Sequence, residues 1–457
     1  MSKISRREVL AGATAGVAIA AVGRQAVAQG PVSGTGAKTG DRVLICNEDS
    51  CTLSAIDPVT NKITETVNLT SFDEDPRPPF RFGNSGVVPT HAAMIGKALY
   101  HGAISIHGAA PSPDQRMAAV TGRGSSNIYL IDIATMKPIG NRSNPQKSDK
   151  TVSERLTSGV LVGREPHEPT WSRNGKEIWV ALRGEDRFAI VDAALAKRES
   201  AGEDVRAVRG YVSSVYGPAQ AWFSKDGEIA FVVSQKVPMI EVIDTNIDGD
   251  GFSNPTRRGL IDISAQDPFG FTPFQKVTAD GAEFWFSHKI ADGVSVRSAG
   301  GDHSLLDHVR LGEKARPNHV EFVENANGKV TYVSFGRIDD GGPGGVASSR
   351  IAVIDRSAPL GTRKVIGSFF SHGREAHGLW TNPENTLLYV AHEQDELPGT
   401  PNAGQTVCSA FDVSDPFKPR FLTQIALGAV KLPSGDLRNK KSINLVYYRP
   451  GTPMHSG

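Results

Sequence analysis

Four histidines occupy one position of a pattern that recurs along this sequence. His107, His167 and His377 each stand five residues before the first residue of a short turn, and His319 takes the matching place in a copy whose turn is longer. Two copies share more, reading Arg164-Glu165-Pro166-His167 and Arg374-Glu375-Ala376-His377, whereas others have Ala219 beside Gln220, or Pro273 followed by Phe274-Gln275. A second register recurs at His288 and His392, which end Trp285-Phe286-Ser287-His288 and Tyr389-Val390-Ala391-His392. Neutral imidazoles arriving from several segments suit copper, zinc or nickel and need no thiolate. Glu165, Glu168, Glu321, Glu375 and Glu393 are the carboxylates that would fix imidazole tautomers. Arg164, Arg183 and Arg374 are the guanidinium groups that would hold an anionic substrate. Catalytic roles fall to Glu165, Arg164, Glu375 and Arg374. For any single histidine, a hydrogen bond to a neighbouring carbonyl is the better account; the metal reading rests on the set.

The elements that position these groups are short strands. One unit repeats: a strand, a turn, a second strand, a polar loop and a third strand closing near Ile-Asp. The turns read Ser112-Pro113-Asp114-Gln115, Ser172-Arg173-Asn174-Gly175, Ser224-Lys225-Asp226-Gly227, Thr278-Ala279-Asp280-Gly281 and Asn382-Pro383-Glu384-Asn385, each with the residue chemistry of a hairpin. Third strands close on Ile131-Asp132, Val191-Asp192, Ile243-Asp244, Ile354-Asp355 and Phe411-Asp412. The first copy, from Val43 to Asp57, lacks an innermost strand, and the run Ser442 to Tyr448 is an orphan that would supply it, closing the ring so that no edge stays open. The expected fold is all-β: a seven-bladed propeller of four-stranded antiparallel blades. In such a blade the first strand leaves one face near the axis and the second returns to it. His107, His167, His319, His377, His288 and His392 are therefore expected around one mouth of the central channel, with His91 added from an insertion.

The repeat resembles the YVTN propeller family, most closely over Leu44 to Thr66 with Ile56-Asp57-Pro58-Val59-Thr60-Asn61-Lys62. That resemblance implies the fold and leaves function open. The histidine placement is similar to the copper propellers of nitrous oxide reductase and thiocyanate dehydrogenase. The cupredoxin domain with paired Cys ligands is missing, which excludes a nitrous oxide reductase. Copper bound in this way would pass electrons from a small substrate to an external acceptor such as a cytochrome c.

Residues 1–28 read as a twin-arginine signal, with Arg6-Arg7, an apolar stretch from Ala11 to Val22 and Ala26-Val27-Ala28 as the cleavage site; residues 29–457 form the single propeller domain. Export of a folded protein to the periplasm is thus expected. A net charge of +1 gives no electrostatic footprint for nucleic acid or anionic lipid, and no segment is long and apolar enough to span a membrane. Cys46, Cys51 and Cys408 contain no C-x-x-C, and in an oxidising compartment two of them are expected to pair. Asp244, Asn246, Asp248 and Asp250 open like a calcium loop, but Pro255 stands where the closing glutamate belongs.

The leading reading is a periplasmic copper-dependent oxidoreductase acting on a small molecule. A non-catalytic binding or scaffold propeller, a haem d-type propeller protein with His167 or His377 as axial ligand, and a sugar-acid lactonase are the alternatives.

Overall fold

The computed structural model describes residues 36–48, 50–69, 105–140, 159–432, 435–438 and 441–454. The signal segment, His91, His101 and His455 lie outside them.

Among the described residues seven antiparallel blades make up the ring, and Ala429–Leu432 pairs with Gly435–Arg438 as a separate two-stranded sheet. Blade 3 shows the plan: Pro166–Trp171 innermost, then Glu177–Leu182, Arg187–Asp192 and Val208–Ser213. Its first two strands are buried along their whole length, because each inner strand is covered by a neighbouring blade on either face. The outermost strand alternates buried and exposed, as a strand facing solvent on one side must. The turns close as their residue types require. Ser172 Oγ donates to Asn174 Oδ1 at 2.8 Å and accepts from Glu177 N at 2.9 Å, while Gly175 takes φ +72°. At the same place in blades 2 and 7, Gln115 and Asn385 hold that left-handed conformation without glycine, at φ +54° and +53°.

Blade 1 is built from both ends of the chain. Arg42–Asn47 pairs on one side with Thr52–Asp57 and on the other with Ser442–Tyr448, with Val43 opposite Tyr447 and Ile45 opposite Leu445. The closure is pinned by Arg449, which donates to both carboxylate oxygens of Asp41 at 2.9 and 2.8 Å. This is the ring closure expected from the orphan strand, and it leaves no open edge between first and last blades.

Blades are stitched together near the axis by hydroxyls of the second strand. Thr121 Oγ1 donates to His167 O at 2.7 Å, Ser287 Oγ to Asn318 O at 2.6 Å and Ser334 Oγ to His377 O at 2.6 Å. These seams set the backbone of the histidine positions. The helix Ala193–Ser200 departs from the repeat; Asp192 caps it by accepting from Ala194 N and Leu195 N.

Two cysteines were expected to pair. Cys46, Cys51 and Cys408 are instead buried and form no disulfide. Cys51 Sγ accepts from Ser105 N at 3.2 Å, and burial pushes the Cys408 thiol up to about 12.

Candidate metal centre

Each inner strand that carries a histidine enters through a residue with positive φ: Ser105 at +53°, Glu165 at +53°, Arg316 at +51° and Glu375 at +57°. The pairing register slips just after these points, between Ile106 and Ala109 and between Ala376 and Leu379. Such a bulge re-aims side chains at the rim of a sheet, and left-handed non-glycine residues are costly enough to be kept only where the surroundings demand them.

Neighbouring strands Ile106–Pro111 and Pro166–Trp171 bring His107 and His167 together, their Nε2 atoms 3.0 Å apart. Glu168 Oε1 lies 3.7 Å from His107 Nε2. Among the described residues, His107, His167 and Glu168 are the group whose ligand atoms all fall within 4.8 Å of one another. Gly108 makes room for them. A Cβ there would come within 2.5 Å of Glu168 Oε2 and 2.6 Å of the His167 carbonyl.

The tautomers follow from the partners. His167 Nδ1 sits 2.9 Å from the Ala219 carbonyl, which only accepts, so Nδ1 carries the proton and Nε2 presents a lone pair. Burial, His107, Arg183 and Arg123 hold this imidazole neutral, its pKa well below the usual range. Burial likewise brings His107 down to about 4 against the opposing pull of Glu48. His107 Nδ1 faces Glu48 Oε1 at 3.6 Å. Burial alone would raise Glu48, but Lys441 and Arg123 outweigh it and keep the carboxylate ionised. With the His107 proton toward Glu48, two lone pairs oppose each other at 3.0 Å; with the proton on Nε2, a lone pair opposes an ionised carboxylate. A cation held by both Nε2 atoms relieves either conflict, and the imidazole–carboxylate donor set suits a transition metal.

Charged groups surround the pair. Arg123 donates to Glu48 at 3.0 Å and to Glu165 at 2.6 Å. Arg183 Nε donates to Glu165 Oε1 at 2.8 Å, and a second Arg183 nitrogen pairs with Gln235. Gln235 Nε2 stands 3.4 Å from His167 Nε2. Asn444 donates to Glu168 Oε2 at 3.0 Å, while burial pushes Glu168 up to about 8.

The other half of the mouth is built on His377. Its Nδ1 faces the Ile443 carbonyl at 2.9 Å and its Nε2 faces Glu393 Oε1 at 3.0 Å. Lys441 Nζ bridges the halves, 3.3 Å from Glu48 and 3.6 Å from Glu393. His319 stacks on Phe274 with ring centres 3.8 Å apart and lies 4.6 Å from the His377 ring.

His107, His167, His319 and His377 thus gather at the channel. His288 and His392, expected there, do not. His288 Nδ1 faces Asp267 at 3.3 Å and its Nε2 faces Ser295 Oγ at 2.7 Å, inside blade 5. His392 is held by the Val407 carbonyl and Ser371 Oγ, at 2.9 and 3.0 Å. The physical reason is strand alternation: these residues end the second strand with side chains on the wrong face, and the mouth is lined by the next residue. That next residue is Arg123, Arg183, Gln235, Lys289 or Glu393.

Of the other candidates, Glu165 belongs to the Arg123–Arg183 network. Glu375 accepts from Gln394 Nε2 at 2.8 Å. Arg164 N and side chain meet Glu185, and Arg374 donates to the Asp395 carbonyl. Glu321 is buried against Lys276 and accepts from Thr381 at 3.0 Å. Glu48, Lys441 and Asn444 were missed in the sequence. In the calcium-like loop, Asp248 Oδ1 accepts from Asp250 N and Phe252 N, Asn246 donates to Asn254 O and Thr256, and Asp244 pairs with Arg258.

No family model matches this chain, and no curated protein does. Solved structures do. A putative 6-phosphogluconolactonase from Bacteroides fragilis is 13% identical with TM-score 0.56, covering 90% of this chain and 99% of that one. The Pseudomonas aeruginosa periplasmic gluconolactonase is 12% identical with TM-score 0.53, covering 90% and 99%. The dihydro-heme d1 dehydrogenase NirN in complex with DHE is 12% identical with TM-score 0.50, covering 90% and 75%. At such identities the likeness is one of fold: the chain is a seven-bladed β-propeller with gluconolactonase-type propellers among its structural neighbours.

Proposed function

We propose that this chain is a periplasmic metal-dependent oxidoreductase, with copper as its metal, that acts on a small substrate at the histidine-lined mouth of the channel. The observation that carries this reading is the opposition of His107 Nε2 and His167 Nε2 at 3.0 Å with both Nδ1 atoms turned to acceptors. His107, His167 and Glu168 would hold the metal, with His319 and His377 across the mouth. Copper held there would supply one-electron redox chemistry, with an external partner such as a cytochrome c as the final acceptor.

The chain's own residues supply the rest. The Ala219 carbonyl fixes the His167 tautomer, and the charge of Glu48, 3.6 Å from His107 Nδ1, favours the His107 form that leaves its Nε2 lone pair for a metal. The guanidinium groups of Arg123 and Arg183 border the pair and favour an anionic substrate. Glu168, raised to about 8 by burial, would be drawn to its ionised form by a neighbouring cation and would then serve as the carboxylate of the donor set. Its partner Asn444 keeps it aimed.

Metal analysis and electron paramagnetic resonance on protein expressed with copper and iron available test the reading. One equivalent of copper with nitrogen couplings is expected, falling at least a hundredfold in affinity in His167→Ala. Protein that binds no transition metal under these conditions would overturn it.

A further inference from the structure

The charged groups at the mouth repeat from blade to blade as the histidines do. Arg123 stands two residues after Thr121, whose hydroxyl donates to His167 O of blade 3 at 2.7 Å. Two carboxylates answer its guanidinium: Glu48, from the same place in blade 1, at 3.0 Å, and Glu165, the positive-φ residue through which blade 3 enters, at 2.6 Å. Lys289 holds the Arg123 position in blade 5, two residues after Ser287, whose hydroxyl donates to Asn318 O of blade 6 at 2.6 Å. Neither carboxylate recurs there. Blade 4 offers the uncharged Gln235, and the positive-φ residue through which blade 6 enters is Arg316. At the next place around the ring, two residues after Ser334, stands Gly336 with no side chain.

Lys289 is thereby half-buried with no carboxylate in ion-pairing distance among the described residues. The acids that act on it through space are held by others. Glu393 lies 3.0 Å from His377 and 3.6 Å from Lys441, and Glu375 accepts from Gln394 at 2.8 Å. Burial prevails over them and holds the Lys289 ammonium below its ordinary pKa. His319, one residue beyond Asn318, is 2% exposed. Neither of its ring nitrogens has a hydrogen-bond partner, and neither is enclosed as His107 Nδ1 is. Burial foremost keeps this imidazole neutral, so one nitrogen carries a proton that it can donate. Lys289 and Arg316 bring two positive charges and Glu375, 3.9 Å from Arg316, one negative. One negative charge is wanting, and a cation left unpaired away from water is costly.

We propose that Lys289, Arg316 and the His319 N–H form an anion site between blades 5 and 6, for the single negative charge of a small inorganic anion or of a small carboxylic acid. None of the three belongs to the metal-ligand group His107, His167 and Glu168, so the site does not rest on the metal reading.

Calorimetry on the metal-free full chain in halide-free buffer, with sodium nitrate and sodium acetate as probes, tests this; a protein that never binds copper leaves the measurement intact. One-to-one saturable binding is expected. Nitrate binding alone identifies an inorganic anion as the ligand, and binding of acetate as well extends it to carboxylates. Lys289→Met should weaken binding on the order of tenfold, and Lys289→Arg should retain it. Arg316→Gln, at an exposed position, should weaken it several-fold. Lys236→Met, which removes an exposed rim lysine lying over Tyr216, should change nothing. The proposal is overturned if neither anion binds saturably, if Lys289→Met binds like the parent, or if Lys236→Met weakens binding as much as Lys289→Met.

Discussion

The His107–His167 pair and the His288 network are both buried imidazole clusters, yet their partners differ in one respect. His288 lies between Asp267, which accepts, and Ser295 Oγ, which can donate or accept and which also lies 3.1 Å from His308 Nδ1. Asp267 is itself tied down by the backbone N–H groups of Phe269, Gly270 and Phe271. Every polar atom of that chain finds a complement, so it locks blade 5. At the channel, acceptors meet acceptors, and the arrangement is completed only by a proton or a metal. The residue type is the same; the donor–acceptor balance separates a structural histidine from a candidate ligand.

Substitutions can break this comparison. Lys441→Met should have the largest effect, because it strips the cation shared by buried Glu48 and Glu393; a loss of about 3–5 kcal/mol in urea unfolding is expected. His288→Ala should cost about 2–4 kcal/mol through the cavity and the unpaired Asp267 and Ser295, with metal content unchanged. An equal loss of metal in that variant would erase the distinction.

Glu168→Gln sharpens the comparison through pH. Glu168 titrates at about 8 in the fold against 4.5 as its ordinary value, so across that interval the native state holds a proton that the unfolded chain has released. Stability of metal-free protein therefore falls as pH rises from 4.5 through 8. His107, lowered from 6.5 to about 4, contributes the opposite slope, a gain as pH rises from 4 to 6.5. Between pH 7 and 8, above the ranges of His107 and of Glu396, which burial raises to about 7, the Glu168 slope dominates, approaching about 1.4 kcal/mol per pH unit. Unfolding midpoints of Glu168→Gln should be flat in that window. The smallest effect is expected for His107→Leu in metal-free protein, within about 1 kcal/mol of the parent, since the Nδ1 it removes has no hydrogen-bond partner and the Nε2 faces another imidazole nitrogen. A loss as large as that of His288→Ala would show the pair to be structural.

The fold was legible because each repeat carries its own local signals. A turn such as Ser224-Lys225-Asp226-Gly227 closes on its own hydroxyl and carboxylate, and an apolar run such as Ile229 to Val233 demands cover on both faces. The orphan strand Ser442–Tyr448 and the truncated first copy named each other as partners for the same reason: neither could satisfy its backbone alone. The first histidine register was legible as well, since it sits at a fixed distance from those turns.

What the sequence left undecided is a matter of one residue and of distant partners. His288 and His392 stood out as histidines, but side chains alternate along a strand, and the tertiary structure turned the following positions, from Arg123 to Glu393, toward the mouth instead. Glu48, Lys441 and Asn444 come from the two chain ends and meet Arg123, Glu393 and Glu168 only because the ring closes there. Local chemistry determined the strands and turns, which depend on neighbours in the chain; closing the ring decided which charges face which imidazoles, because those partners lie far apart in sequence.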